Sequence, residues 1–153
     1  MKPGAITGPA SAAGVERTGC GDCSLCCKLI GVAALDKPRC TWCRHIAPNR
    51  RGCSIYQDRP GECRDFRCLW LRSHEDRAAT PLPMALRPDR AHVVFVLASG
   101  DGGAVVAHVD PAYPHAWREG APERLIGDLV GKGAEVLVTV GRERKLLKRH
   151  SPP

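Results

Sequence analysis

A chain of 153 residues fits one domain or two very small ones, and no apolar run in it approaches the ~20 residues needed to span a bilayer. Aromatic residues make up only 5%, which excludes a large aromatic core and a base-stacking platform. The formal charge of +7 is uneven: residues 1–72 carry 12 Lys and Arg against 6 Asp and Glu, while residues 73–153 carry 11 against 10.

Residues 1–18 are rich in Gly, Ala, Pro, Ser and Thr and lack periodicity, so a mobile arm is expected. They contain no long apolar stretch of the kind a secretory signal carries, so the expected location is the cytoplasm, where thiols stay reduced. Residues 19–72 hold every cysteine of the chain and read as a separate cysteine-cluster region, expected to bind metal for the reasons that its cysteine spacing gives. A short helix is predicted over Cys26–Val32. A second is predicted to begin near Arg59-Pro60, with Pro60 at its first position and Cys63, Phe66 and Trp70 at three- and four-residue spacings. Residues 73–85, with Pro81 and Pro83 around Leu82, read as a linker.

Residues 86–150 change character and read as a small α+β unit packed on the cysteine region. The β-branched run Ala91–Ala98 predicts a buried strand, Gly100-Asp101-Gly102-Gly103 a turn, and Ala104–Val109 the hairpin partner. Pro122–Val130 predicts a helix with Leu125, Ile126, Leu129 and Val130 on one face and Gly131 or Gly133 as its stop. Glu135–Val140 and Glu143–Lys148 predict two further strands around a turn at Gly141-Arg142. The expected class is therefore α+β: a small metal-stabilised cysteine-rich region followed by a small antiparallel sheet with one helix.

All nine cysteines fall between Cys20 and Cys68. They run Cys20-x2-Cys23-x2-Cys26-Cys27, then Cys40-x2-Cys43, Cys53, Cys63 and Cys68. An odd count argues against a closed disulfide framework, and clustered thiols in a reducing compartment point to metal. Thiolates suit zinc or an iron–sulfur cluster. Cys40-x2-Cys43 has the short spacer common at zinc, whereas the evenly spaced Cys20, Cys23 and Cys26 match the triple of four-iron (4Fe–4S) ferredoxins without the Cys-Pro element. Adjacent side chains point in different directions, so Cys26 and Cys27 either reach two centres or include one bystander. Two four-sulfur centres with one spare thiol, and one centre with several structural cysteines, both fit the count. A divalent ion with four thiolates carries a net charge of about −2, so arginines such as Arg44, Arg50, Arg51, Arg59, Arg64, Arg67 and Arg72 are placed in sequence to offset it.

Cys20-Gly-Asp-Cys23-Ser-Leu-Cys26-Cys27 resembles the signature of the CxxCxxCC (YkgJ-type) cysteine-cluster family, described as zinc- or iron-chelating domains. The stretch Cys53-Ser-Ile-Tyr56-Gln-Asp-Arg59-Pro60-Gly-Glu-Cys63-Arg-Asp-Phe66-Arg-Cys68 is similar to that family's second signature. The resemblance covers roughly residues 18–72. It implies metal chelation by Cys20, Cys23, Cys26, Cys27, Cys53, Cys63 and Cys68, with Cys40 and Cys43 joining them. A related cysteine signature occurs in flagellin lysine-N-methylases, but those are much longer chains and no methyl-donor loop is evident here. Tyr56 and Phe66 are expected to shield the site, and Arg59 to donate toward sulfurs or pair with Asp58 or Asp65.

His108, Asp110 and His115 lie close in sequence, but a proline-rich turn with surface histidines is the simpler reading. His45, two residues after Cys43, could serve as a ligand in place of a cysteine, but the number of cysteines makes that unnecessary. No nucleophile-elbow, phosphate-loop or paired-carboxylate motif is present. The expected function is metal chelation with no evident catalytic site. The alternatives are an iron–sulfur electron-transfer or sensor protein, and a zinc-stabilised adaptor binding nucleic acid or an acidic partner. Nucleic acid is the less favoured partner and a membrane is not expected; no particular protein partner is indicated.

Overall fold

The computed structural model describes residues 22–99 and 103–150. Cys20, the N-terminal arm, most of the predicted Gly100–Gly103 turn and residues 151–153 lie outside them.

The second half follows the valine-rich pattern. Strands β1 (Val93–Leu97), β2 (Val105–Val109), β3 (Val136–Val140) and β4 (Glu143–Leu147) form one sheet in the order β1-β2-β3-β4. Alternation along β2 buries Val105, Ala107 and Val109, and pairing sets Phe95 opposite Ala107 and Ala107 beside Val138, so one face is continuous across three strands. A helix, Gly120–Gly131, connects β2 to β3 and packs against β3.

The class is α+β. The outer pairs β1–β2 and β3–β4 are antiparallel, but the central pair β2–β3 is parallel. The wholly antiparallel sheet expected from the order of elements needs this correction. A strand–helix–strand connection returns the chain in its starting direction, which a hairpin cannot do. At the β3–β4 turn Gly141 takes φ 58°, a left-handed conformation that glycine adopts without steric cost.

The cysteine region holds only short helices: α1 (Cys26–Leu29), α2 (Gly61–Asp65), α3 (Leu69–Glu75) and, just before the sheet, α4 (Pro88–Ala91). The long helix Gly120–Gly131 is α5. Helix α1 stops at Leu29, short of the predicted Val32. Gly31 admits a close approach there: a Cβ on it would lie 3.3 Å from Arg39 Cγ and 3.4 Å from the Lys37 carbonyl. The single helix expected after Pro60 is two, broken at 66–68. The Cys68 side chain accepts from the Leu71 amide and caps α3, satisfying a donor that a continuous helix would have bonded internally.

Both halves share one core. Leu25, Leu29, Trp70 and Leu71 join Val93, Val94, Phe95, Val105, Val136, Val138 and Ile126 in a single buried cluster. The predicted linker is folded onto it: α3 runs to Glu75, Leu82 packs against the core, Trp70 Nε1 donates to the Pro83 carbonyl at 3.2 Å, and the Leu82 amide donates to Ser73 Oγ at 2.9 Å. Two polar ties dock the cysteine region on the sheet. Lys28 Nζ donates to Asp110 Oδ1 at 2.7 Å, and Arg39 donates to Thr139 Oγ1 at 3.0 Å, beside His108 Nδ1 at 3.4 Å.

Candidate metal centre

Short elements separated by turns let distant cysteines meet. Helix α1 carries Cys26 and Cys27 in its first turn. The Cys43 amide donates to the Cys27 carbonyl at 2.9 Å, which brings the middle pair to α1. A bridge pairs Ile46 with Cys53, so the loop from Cys43 doubles back and returns Cys53 to the same place. The Ser54 amide and hydroxyl both donate to the His45 carbonyl, at 2.8 and 2.9 Å. Helix α2 then presents Cys63. Its Glu62 carboxylate accepts from the Ala33 and Ala34 amides at 3.2 and 2.9 Å, tying the last cysteine segment to the turn that follows α1.

These ties enclose a cavity of about 860 Å³ lined by Cys23, Cys26, Cys27, Cys43, Cys53 and Cys63. Lys37, His45, Tyr56, Arg59 and Phe66 also line it, with Ile30, Val32, Leu35 and Ile55 as apolar wall. No disulfide joins any two of the eight described cysteines. Four of them form an electrostatic group. The charges of Cys27 and Cys43 act on both Cys53 and Cys63, and Cys53 acts on Cys63. Burial, followed by these neighbours, raises the Cys53 and Cys63 pKa values; for Cys53 the Ile55 backbone hydrogen bond and the Arg59 charge oppose the rise only in part. Cys27 is the exception. A hydrogen bond from Cys26 brings it down to about 7 against burial, with help from Lys37 and Arg59.

The other cysteines are placed differently. Cys23 lines the rim beside Arg87 and Asp89, and burial pushes its thiol up to about 12. Cys40 is outside the lining: it packs against the core with φ 58°, its amide donating to the Leu29 carbonyl at 3.4 Å. Cys68 is also outside it, 6% exposed in the core and engaged as the α3 cap.

Tyr56 and Phe66 stand where shielding groups were expected. Arg59 pairs with neither Asp58 nor Asp65 among the described residues; its guanidinium lies 3.8 Å over the Tyr56 ring. His108, Asp110 and His115 make no common site, because Asp110 engages Lys28, His108 faces Arg39 and Thr139, and His115 is exposed. Lys37 is the lining residue that sequence reasoning missed. It sits in Leu35-Asp36-Lys37-Pro38, where nothing distinguishes it from a surface lysine.

Thiol donors, cationic neighbours and an apolar wall suit a thiophilic metal. A single zinc ion needs sulfurs about 3.8 Å apart, and among the described residues no three His, Cys, Asp or Glu side chains are gathered tightly enough to hold one ion as they stand. Fold and site together define a small α+β protein with a thiol-lined cavity inside its cysteine-rich half. Comparison with protein-family models, with curated proteins and with solved structures gives no match. No described helix is long and apolar enough to cross a membrane.

Proposed function

We propose that this chain is a metal-chelating protein of the CxxCxxCC type that holds zinc or an iron–sulfur cluster in the thiol-lined cavity. Cys27, Cys43, Cys53 and Cys63 are the principal ligands, with Cys23 and Cys26 on the same lining and Cys20 in the adjoining stretch. The observation that carries this reading is the convergence of four cysteines, from sequence positions 27 to 63, on one another's electrostatic field inside one cavity. Ordinary packing does not require that, since a buried free thiol behaves as a small apolar residue and needs no thiol neighbours. Bound metal would supply the cross-link that lets this loop-rich half hold its shape.

The test is purification without oxygen, a visible spectrum, and a count of iron, sulfide and zinc per chain. The reading requires a stoichiometric metal or cluster that is lost when Cys27, Cys43, Cys53 or Cys63 is changed to serine. Protein that carries neither zinc nor iron, and takes up neither when offered, overturns it.

A further inference from the structure

Lys37 is a buried cation with no carboxylate beside it among the described residues. The residue is 8% exposed. Its ammonium donates to the carbonyls of Lys28 at 3.2 Å, Ile30 at 2.5 Å and Pro38 at 3.1 Å. Carbonyl dipoles solvate an ammonium but leave its charge standing, and a buried charge without a counter-charge is strongly unfavourable. Among the described residues no Asp or Glu pairs with it. The negative charges that act on it are those of cysteines, Cys43 and Cys27 foremost.

Arg59 repeats the arrangement on the same cavity. Its Nε is buried without a hydrogen-bond partner, its guanidinium covers Tyr56, and it too has no carboxylate partner among the described residues. Arg51, by contrast, reaches the lining already paired with Asp22 at 3.3 Å. Two unneutralised cations therefore face a group of four thiols. A divalent ion held by four thiolates carries a net charge of about −2, which two such cations offset.

We propose that Lys37 and Arg59 are the built-in counter-charges of the thiolate centre and determine how tightly it holds metal. The inference rests on the chelating function proposed above. It has a consequence that a purely structural lysine lacks. Without metal, no full set of thiolates faces the Lys37 charge, and burying it costs stability. With metal and thiolates present, the same charge stabilises the centre. Removing it therefore acts with opposite sign in the two states.

The experiment uses the full chain, reduced and metal-free, with Zn2+ alone as the probe in competition with a chromophoric chelator, alongside thermal melting of the metal-free and zinc-loaded forms. Lys37→Gln keeps donors for the carbonyls and loses the charge. It is expected to weaken zinc binding by about ten- to a hundredfold, the range for groups that support metal ligands, and to raise the melting midpoint of the metal-free protein. Arg59→Gln is expected to weaken binding over the same range, and Lys37→Arg to restore most of the affinity. If Lys37→Gln does not fold, Arg59→Gln decides the matter alone. Unchanged zinc affinity in the folded glutamine variants overturns the proposal while leaving the chelating function intact, and so does an equal loss in Lys37→Arg and Lys37→Gln. A parent chain that takes up neither zinc nor iron sinks both.

Discussion

Cys63 and Cys68 belong to one sequence motif, yet their thiols meet different surroundings. Cys63 opens onto the cavity, and Cys68 is buried where it caps α3. Cys63→Ser is expected to lower bound metal per chain with little change in the metal-free melting midpoint. Cys68→Ala is expected to leave metal content unchanged and to cost about 1 kcal/mol of stability, the scale of a lost helix cap; elemental analysis beside denaturant unfolding separates the two. His108 gives a pH signature. Burial, followed by the Arg39 charge, holds its pKa down to about 4, while in the unfolded chain the imidazole titrates near 6.5. Between about 6.5 and 4 the unfolded state takes up a proton that the folded state does not, so stability falls as pH is lowered through that window. In metal-free protein His108→Gln is expected to remove about 2 kcal/mol of the loss between pH 7 and pH 5, read from urea midpoints. A variant as acid-sensitive as the parent would show that His108 is not the group responsible.

At the scale of elements, the Lys28–Asp110 pair joins the end of β2 to helix α1. Asp110→Asn keeps the bond to the Ala112 amide but strands the Lys28 ammonium. The expected cost is about 2 kcal/mol, below that of a fully buried pair because Lys28 is partly exposed; its unfolding curve should shift without a change in slope. The strands were legible in the sequence because valine runs and glycine turns leave few choices, and α5 was legible from Leu125, Ile126 and Leu129. The direction of β3 was not, since strand periodicity is the same for parallel and antiparallel partners. The cysteine region resisted most. Its helices span four to seven residues, too short for a periodic signal, and its shape depends on long-range bonds such as Glu62 to Ala33 and Ala34. The cavity thiols were legible as cysteines, but their sorting into lining and core was not. Nothing in Cys53-x9-Cys63-x4-Cys68 says that the last thiol turns inward.

For the whole molecule, the shared core means that the cysteine half and the sheet half support each other. Leu29 and Val93 lie in one buried cluster, so metal bound in the cavity is expected to stabilise the sheet as well. Stripping metal with a chelator is expected to lower the thermal midpoint measured by strand circular dichroism, by an amount that grows with metal affinity. A sheet signal indifferent to metal would show that the halves melt independently. Strand β4 has a further consequence. Glu143, Arg144 and Lys145 are exposed along it, and charged residues of this kind discourage a strand edge from recruiting a neighbour. Behind it stands β3, Val-Leu-Val-Thr-Val, with Val136 and Val138 almost wholly buried. β4 is thus a guard strand: a chain shortened to end before Gly141 would expose an uncharged, valine-rich edge suited to stacking copy on copy into cross-β fibrils.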